Sequence, residues 1–258
     1  MTRRKTSRLQ AVQPMDQAVD AMDETPPQVP PLARAVRRLN PYDPTTSLYA
    51  IKAAPADGPV AYKLDWNEST LPPAPGVITA ITRFLGNSHH LNWYPELECP
   101  RLLQALAAYT GLSEDSLLVT NGSDDALALV CNSFLDPSDE VVVPEPTYTH
   151  FLVFAQAKSG HIHSVRFEDP FAIELKRILG AITPRTKVIY LVSPNNPTGT
   201  VFDADQVTQV LTAAPHAIII VDEAYFEFHG ASVIALTARF PNLVVTRTFS
   251  KSFGMAGL

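Results

Sequence analysis

A lysine, an aspartate and a glycine-led turn are the residues of this chain best suited by type and setting to do chemistry. Lys251 stands beside Ser250, just past the apolar run Leu243–Thr246. An amine there can serve as a surface charge, a phosphate contact or a Schiff-base amine. Asp222 closes the aliphatic run 217–221, which predicts a partly buried carboxylate. Such a group needs a positive partner or strong hydrogen bonds. A helix cap, a structural ion pair or a protonated pyridine nitrogen would each meet that need, and the last would turn the ring into an electron sink. Gly122, Ser123 and Asp124 open a helical stretch, where free N–H groups and the helix dipole suit a phosphate. Tyr148 can stack on an aromatic ring or simply pack. In 193–199, prolines and a glycine fix a turn that leaves Asn195 and Asn196 offering their amides, as a plain surface turn also would.

These residues need elements to position them. Apolar, β-rich runs at 117–120, 140–143, 162–167, 187–192, 217–221 and 243–246 read as strands. Helical stretches are expected at 123–134, 148–158, 174–182, 203–213 and 232–239, with Ser123 and Asp203 as start signals. Alternation of this kind predicts an α/β fold: a mostly parallel sheet with helices on both faces, in three layers. Val-, Ile- and Leu-rich strand cores fit burial on both sides. In such sheets ligands bind beyond the carboxyl ends of the strands. The polar clusters 121–124, 144–148, 193–199, 222–225 and 248–251 each follow an apolar run, so all fall at that end.

Composition excludes several classes. A net charge of −6 over 258 residues leaves no basic footprint for nucleic acid. Cys99 and Cys131 make neither a disulfide framework nor a metal-ligand spacing, which fits a reducing, cytoplasmic setting. No metal site is expected: His89, His90, His161 and His163 share no ligand spacing with a Cys or carboxylate. The apolar runs are too short to span a membrane, and no signal-peptide core follows the basic start. The glycine fingerprint of dinucleotide sites and the Walker pattern are both missing, which disfavours a nucleotide-dependent dehydrogenase. Residues 1–37 run from Arg3, Arg4, Lys5 and Arg8 through an acidic stretch to Pro26, Pro27, Pro30 and Pro31, and read as a disordered, Pro-rich tail. A transit peptide is disfavoured because acidic residues arrive early.

Taken together, SPNNPTG (193–199), VDEAY (221–225) and TFSKSFGMAGL (248–258) resemble class I/II aminotransferases of fold type I, which use pyridoxal 5'-phosphate. NWYPE (92–96), NGSDDAL (121–127) and PEPTY (144–148) are similar to the histidinol-phosphate aminotransferases and their near relatives. The resemblance runs from about Leu39 to Leu258. It implies that Lys251 carries the cofactor as a Schiff base and later moves a substrate proton, and that Asp222 pairs with the pyridine nitrogen. Asn196 and Tyr225 would bond the ring hydroxyl, and Tyr148 would stack on the ring. Gly122, Ser123, Asp124 and Ser250 would hold the phosphate. Tyr94 would reach the phosphate of a neighbouring subunit, implying a homodimer with shared sites, and Tyr42 would touch substrate. The reaction implied is transamination of histidinol phosphate with 2-oxoglutarate. An aromatic aminotransferase, a threonine-phosphate decarboxylase and an inactive remnant are the alternatives.

By the same resemblance, residues 38–95 form an N-terminal arm and the start of a small domain, and 96–258 an incomplete cofactor-binding large domain. The family usually places a phosphate-binding arginine after the leucine that corresponds to Leu258. A further, antiparallel strand then lies beside the first strand, and a small domain supplies an arginine for the substrate carboxylate. The expectation is that these 258 residues alone turn over little substrate and dissolve poorly.

Overall fold

Runs of β-branched residues set the strands. Val141, Val142 and Val143, then Val188 and Ile189, then Ile219, Ile220 and Val221 suit a pleated sheet buried on both sides. The computed structural model describes residues 32–39, 64–87 and 89–258. Most of the expected N-terminal tail and Tyr42 lie outside the described residues.

After a 3₁₀ turn at Val36–Arg38 come α1 (Pro75–Leu85), α2 (His89–Asn92), α3 (Pro100–Thr110) and α4 (Gly122–Phe134). Then β1 (Glu140–Glu145), α5 (His150–Ala157), β2 (His161–Arg166), α6 (Leu175–Gly180), β3 (Thr186–Val192) and α7 (Ala204–Ala213) alternate. The chain continues through β4 (Ile218–Asp222), α8 (Phe226–His229), a 3₁₀ turn at Ile234–Ala238 and β5 (Leu243–Thr246). The strands form one parallel sheet in the order β2-β1-β3-β4-β5.

Alternate strand residues face opposite layers, as the period-2 geometry requires. Ile189, Leu191, Ile219 and Val221 pack with Ile178 of α6 and Val207, Val210 and Leu211 of α7. Val141, Val143, Val188, Tyr190 and Ile220 pack instead with Leu127 and Val130 of α4 and Phe151 of α5. Each fully buried aliphatic side chain contributes about 1.5–3 kcal/mol. Cys131 lies within the second layer, where burial pushes its thiol up to about 12, so it is an inert core residue.

Strand order creates the site. The chain leaves β1 for β2 at the edge, then returns to β3 on the other side of β1. The β1/β3 boundary is therefore a switch point, where a crevice opens beyond the strand ends. Pairing of β1 with β3 ends at Val142–Ile189, before Pro144, which has no N–H to give a ladder. Beyond it the two chains diverge, and a Thr147 hydroxyl bond to Asn195 Oδ1 (2.7 Å) spans the gap.

Two expected elements differ. Residues 117–120 are not a strand. Leu117 is extended, yet the run pairs with no strand among the described residues, and Leu118 is 73% exposed. A short apolar run with no ladder beside it stays a coil, since strand hydrogen bonds exist only in pairs. The expected helix at 232–239 is only the 3₁₀ turn. Its entry is tied down instead by Glu223, which accepts from Ser232 Oγ and from Val233 N (2.8 Å). Among the described residues no helix is long and apolar enough to cross a membrane.

Helix α7 opens with a capping box. Asp203 Oδ1 accepts from Gln206 N (2.7 Å), and Asp203 N donates to Gln206 Oε1 (3.1 Å). Asp203→Ala should therefore lower stability by about 1 kcal/mol in urea unfolding. An unchanged midpoint would show that the cap contributes nothing.

Candidate active site

Asp222 ends β4, in register with Val192 of β3 and Thr246 of β5. It shares a sheet face with Ile220 and Tyr190, and it is 3% exposed. Its partners are all neutral: Tyr190 donates its hydroxyl to Oδ2 (2.8 Å), Thr246 Oγ1 donates to Oδ1 (3.1 Å) and Ala224 N donates to Oδ1 (3.2 Å). No Lys, Arg or His pairs with it among the described residues. Burial raises its pKa above the ordinary aspartate value, against the pull of the Tyr190, Thr246 and Ala224 hydrogen bonds. Tyr190 is raised well above its ordinary value, first by burial and then by the Asp222 charge. Its ring is held flat against Phe151, with centroids 4.0 Å apart.

Glu223, the next residue, shows the opposite arrangement. Arg247 donates to its Oε2 through Nε (3.1 Å) and a terminal nitrogen (2.9 Å), and stacks 3.6 Å above the Phe226 ring. Arg247 is thus committed to Glu223, while no cation among the described residues pairs with Asp222.

The lysine loop begins at the end of β5. Thr248 Oγ1 donates to Ser250 Oγ (2.9 Å) and accepts from Ser250 N (3.1 Å). Lys251 Nζ donates to the Trp66 carbonyl (2.8 Å) and lies 5.7 Å from the centre of the Tyr225 ring. Gly254 has φ +65°, and a Cβ there would meet the Leu71 carbonyl at 3.3 Å, so the loop docks closely on the segment around Leu71.

On the α4 side, Gly122 has φ +76° and turns the chain into the helix. Ser123 and Asp124 occupy the first turn, whose N–H groups lack intrahelical acceptors. The Asp124 carboxylate accepts from the Tyr148 hydroxyl (3.1 Å to each oxygen) and lies 3.0 Å from His150 Nδ1. Across the switch point, the two asparagines divide their roles. Asn195 donates to the Pro146 carbonyl (2.9 Å) and to Thr198 Oγ1 (2.7 Å), so it braces the turn. Asn196 makes no hydrogen bond among the described residues, and it lines a cavity with Asn67, Tyr225 and His229.

Asp222, Tyr225, Lys251, Ser250, Asn196, Tyr148, Gly122, Ser123 and Asp124 all stand at the strand-end side. Direct contact joins Tyr148 to Asp124, and Lys251 lies near the Tyr225 ring. Tyr94, fully exposed, joins none of them. Tyr190, Thr246, His150, Trp66 and Asn67 escaped the sequence reading. Period-2 spacing from a buried acid into the neighbouring strands would have pointed to Tyr190 and Thr246. No local signal marked Trp66 or Asn67.

The architecture and the strand-end cluster define a fold-type-I transferase domain. A family model for aminotransferase class I and II matches residues 61–258, and the chain belongs to that family. A dihydroxyacetone phosphate transaminase of Campylobacter jejuni is 38% identical over 75% of this chain and 53% of its own length. A histidinol-phosphate aminotransferase of Dehalococcoides mccartyi is 36% identical over 76% of this chain and 53% of its own. Among solved structures, histidinol-phosphate aminotransferase from Sinorhizobium meliloti in complex with pyridoxal-5'-phosphate superposes with a TM-score of 0.68. It shares 29% identity over 74% of this chain and 53% of that one. The chain spans about half the length of the curated relatives it matches.

The raised Asp222 pKa has a thermodynamic consequence. The folded, cofactor-free chain holds this proton to higher pH than the unfolded chain, so the Asp222 contribution is favourable at low pH and is lost as pH rises through the folded value. Melting temperatures of wild type and Asp222→Asn should therefore diverge as pH rises above about 4, the ordinary aspartate value, with the variant increasingly favoured. Wild type gaining on the variant as pH rises would contradict the assignment.

Proposed function

We propose that this chain is the cofactor-binding part of a pyridoxal-5'-phosphate-dependent aminotransferase that acts on a phosphorylated amino donor. Histidinol phosphate with 2-oxoglutarate, a step of histidine biosynthesis, is the preferred pair. The observation that carries this reading is the buried Asp222 carboxylate, bonded only by neutral donors and one strand from the lysine loop. That donor set fits a group presenting a positive N–H. The turn at Gly122, with the first-turn N–H groups of Ser123 and Asp124, fits a phosphate.

When bound, pyridoxal phosphate supplies an aldehyde for the amine and a protonated ring that accepts electron density from the substrate α-carbon. Asp222 holds the proton on the ring nitrogen. Asn196, with its amide uncommitted, and Tyr225 address the ring hydroxyl. Tyr148, tethered by its hydroxyl to Asp124, covers one ring face. Ser250 adds its hydroxyl to the phosphate site. Lys251 would hold the group through its side-chain amine and, with that amine free, would move the substrate α-proton as general base and acid.

In this reading residues 96–258 are the large domain and 38–95 an N-terminal arm leading into a smaller one. Tyr94, fully exposed here, reaches the cofactor phosphate of a second subunit in a cytoplasmic homodimer. The Campylobacter jejuni relative favours a second reading, in which the partner substrate is a three-carbon phosphorylated ketone. Both readings share a phosphate monoester on the substrate.

Mixing the chain with pyridoxal phosphate should produce a visible absorbance band that Lys251→Ala lacks while keeping a wild-type circular dichroism spectrum. Histidinol phosphate should bleach the band faster than tyrosine or aspartate. A band that survives in Lys251→Ala would refute the lysine's role, and faster bleaching by an unphosphorylated donor would refute the substrate class.

A further inference from the structure

Trp66 and Asn67 lie far from Tyr225 and Lys251 in sequence, yet they touch both. The Trp66 carbonyl accepts from Lys251 Nζ (2.8 Å), and Asn67 Nδ2 donates to the Tyr225 hydroxyl oxygen (3.0 Å). Asn67 also lines the cavity that holds Asn196 and Tyr225. Its φ is +51°, in the left-handed region that asparagine tolerates better than most residues. The following residues anchor the segment. Ser69 Oγ accepts from Leu71 N (3.2 Å) and donates to Leu71 O (2.9 Å), and a Cβ at Gly254 of the lysine loop would crowd that carbonyl at 3.3 Å.

A phenol has one proton. Because the Tyr225 oxygen accepts from Asn67, its own O–H is left for a different acceptor. Among the described residues none takes it. On the reading above, the acceptor is the anionic oxygen on the cofactor ring. We propose that Asn67 is a positioning residue that sets the polarity of Tyr225, so that this tyrosine enters the site as a hydrogen-bond donor to the ring oxygen. The N-terminal segment thereby tunes a large-domain residue without itself touching the reacting atoms. This inference rests on the proposed cofactor chemistry and names a residue that sets the site's protonation behaviour.

Two substitutions separate polarity from packing, and both tolerate the left-handed backbone. Asn67→Asp keeps the size but replaces the donor with an acceptor that captures the Tyr225 proton. Asn67→Gly removes the amide. The readout, in the full chain loaded with pyridoxal phosphate, is the pH midpoint at which the visible band changes wavelength. A donor on the ring oxygen stabilises the anion, so its loss raises the midpoint. The expected order is wild type lowest, Asn67→Gly higher and Asn67→Asp highest, the last by about one unit, a tenfold change in proton affinity. In a Tyr225→Phe background neither substitution should move the midpoint. Asn67→Asp matching wild type would mean that the amide accepts rather than donates, and would overturn the proposal. Equal shifts with and without the Tyr225 hydroxyl would overturn it too. A normal Lys251-dependent band with an unresponsive midpoint refutes this inference alone, whereas no such band in wild type refutes the functional reading and this inference with it.

Discussion

A carboxylate buried with no cation beside it among the described residues is the constraint around which the candidate site is organised. Removing a carboxylate from water is costly, and neutral donors recover only part of that cost. The chain holds a contrasting case at the other end of the same sheet. Glu140, at the start of β1, is 1% exposed, but it is bonded by Thr183 and by Arg185, whose Nε lies 2.7 Å away. Those bonds, the Thr183 hydroxyl first, hold its pKa below the ordinary glutamate value. Asp222 moves the opposite way: burial raises its pKa, and no cation among the described residues offsets that. One sheet therefore carries an acid paired with an arginine at its amino end and an acid bonded only by neutral donors, among the described residues, at its carboxyl end.

The rest of the fold can be read as support for that acid. Parallel strands bring every strand end to one side, and the β1/β3 switch point opens the space there. Tyr190 reaches Asp222 because both lie on the α4/α5 face, two residues from one another in the β3–β4 register. Phe151 of α5 fixes the Tyr190 ring from behind. Arg247, the cation closest in sequence to the lysine loop, is diverted to Glu223 and Phe226. The Arg247–Glu223 pair therefore commits that guanidinium away from Asp222.

Much of this was legible in the residues. The strands after 140 follow from Val- and Ile-rich runs bounded by turn residues, and the start of α7 from Asp203, whose capping partner Gln206 only the structure reveals. Parallel order then puts the polar clusters that follow each run at one end of the sheet. Burial of Asp222 followed from its position after 217–221. Three things were not legible, for different physical reasons. Whether 117–120 is a strand depends on a ladder partner, which a local run cannot reveal. Asn195 and Asn196 are chemically identical, and only the path of β1 decides which amide is consumed. The contacts of Trp66 and Asn67 join residues more than 150 positions apart and leave no periodic trace.

The most direct test of the account is the titration of the Asp222 side chain, followed by carbon-13 NMR of labelled aspartate with Asp222→Asn to assign the signal. Without cofactor its pKa should lie above the ordinary aspartate value, and on binding pyridoxal phosphate it should fall below that value as the ring nitrogen takes the proton. A pKa that does not move when the cofactor binds would contradict the claim that this carboxylate exists to face a positive ring.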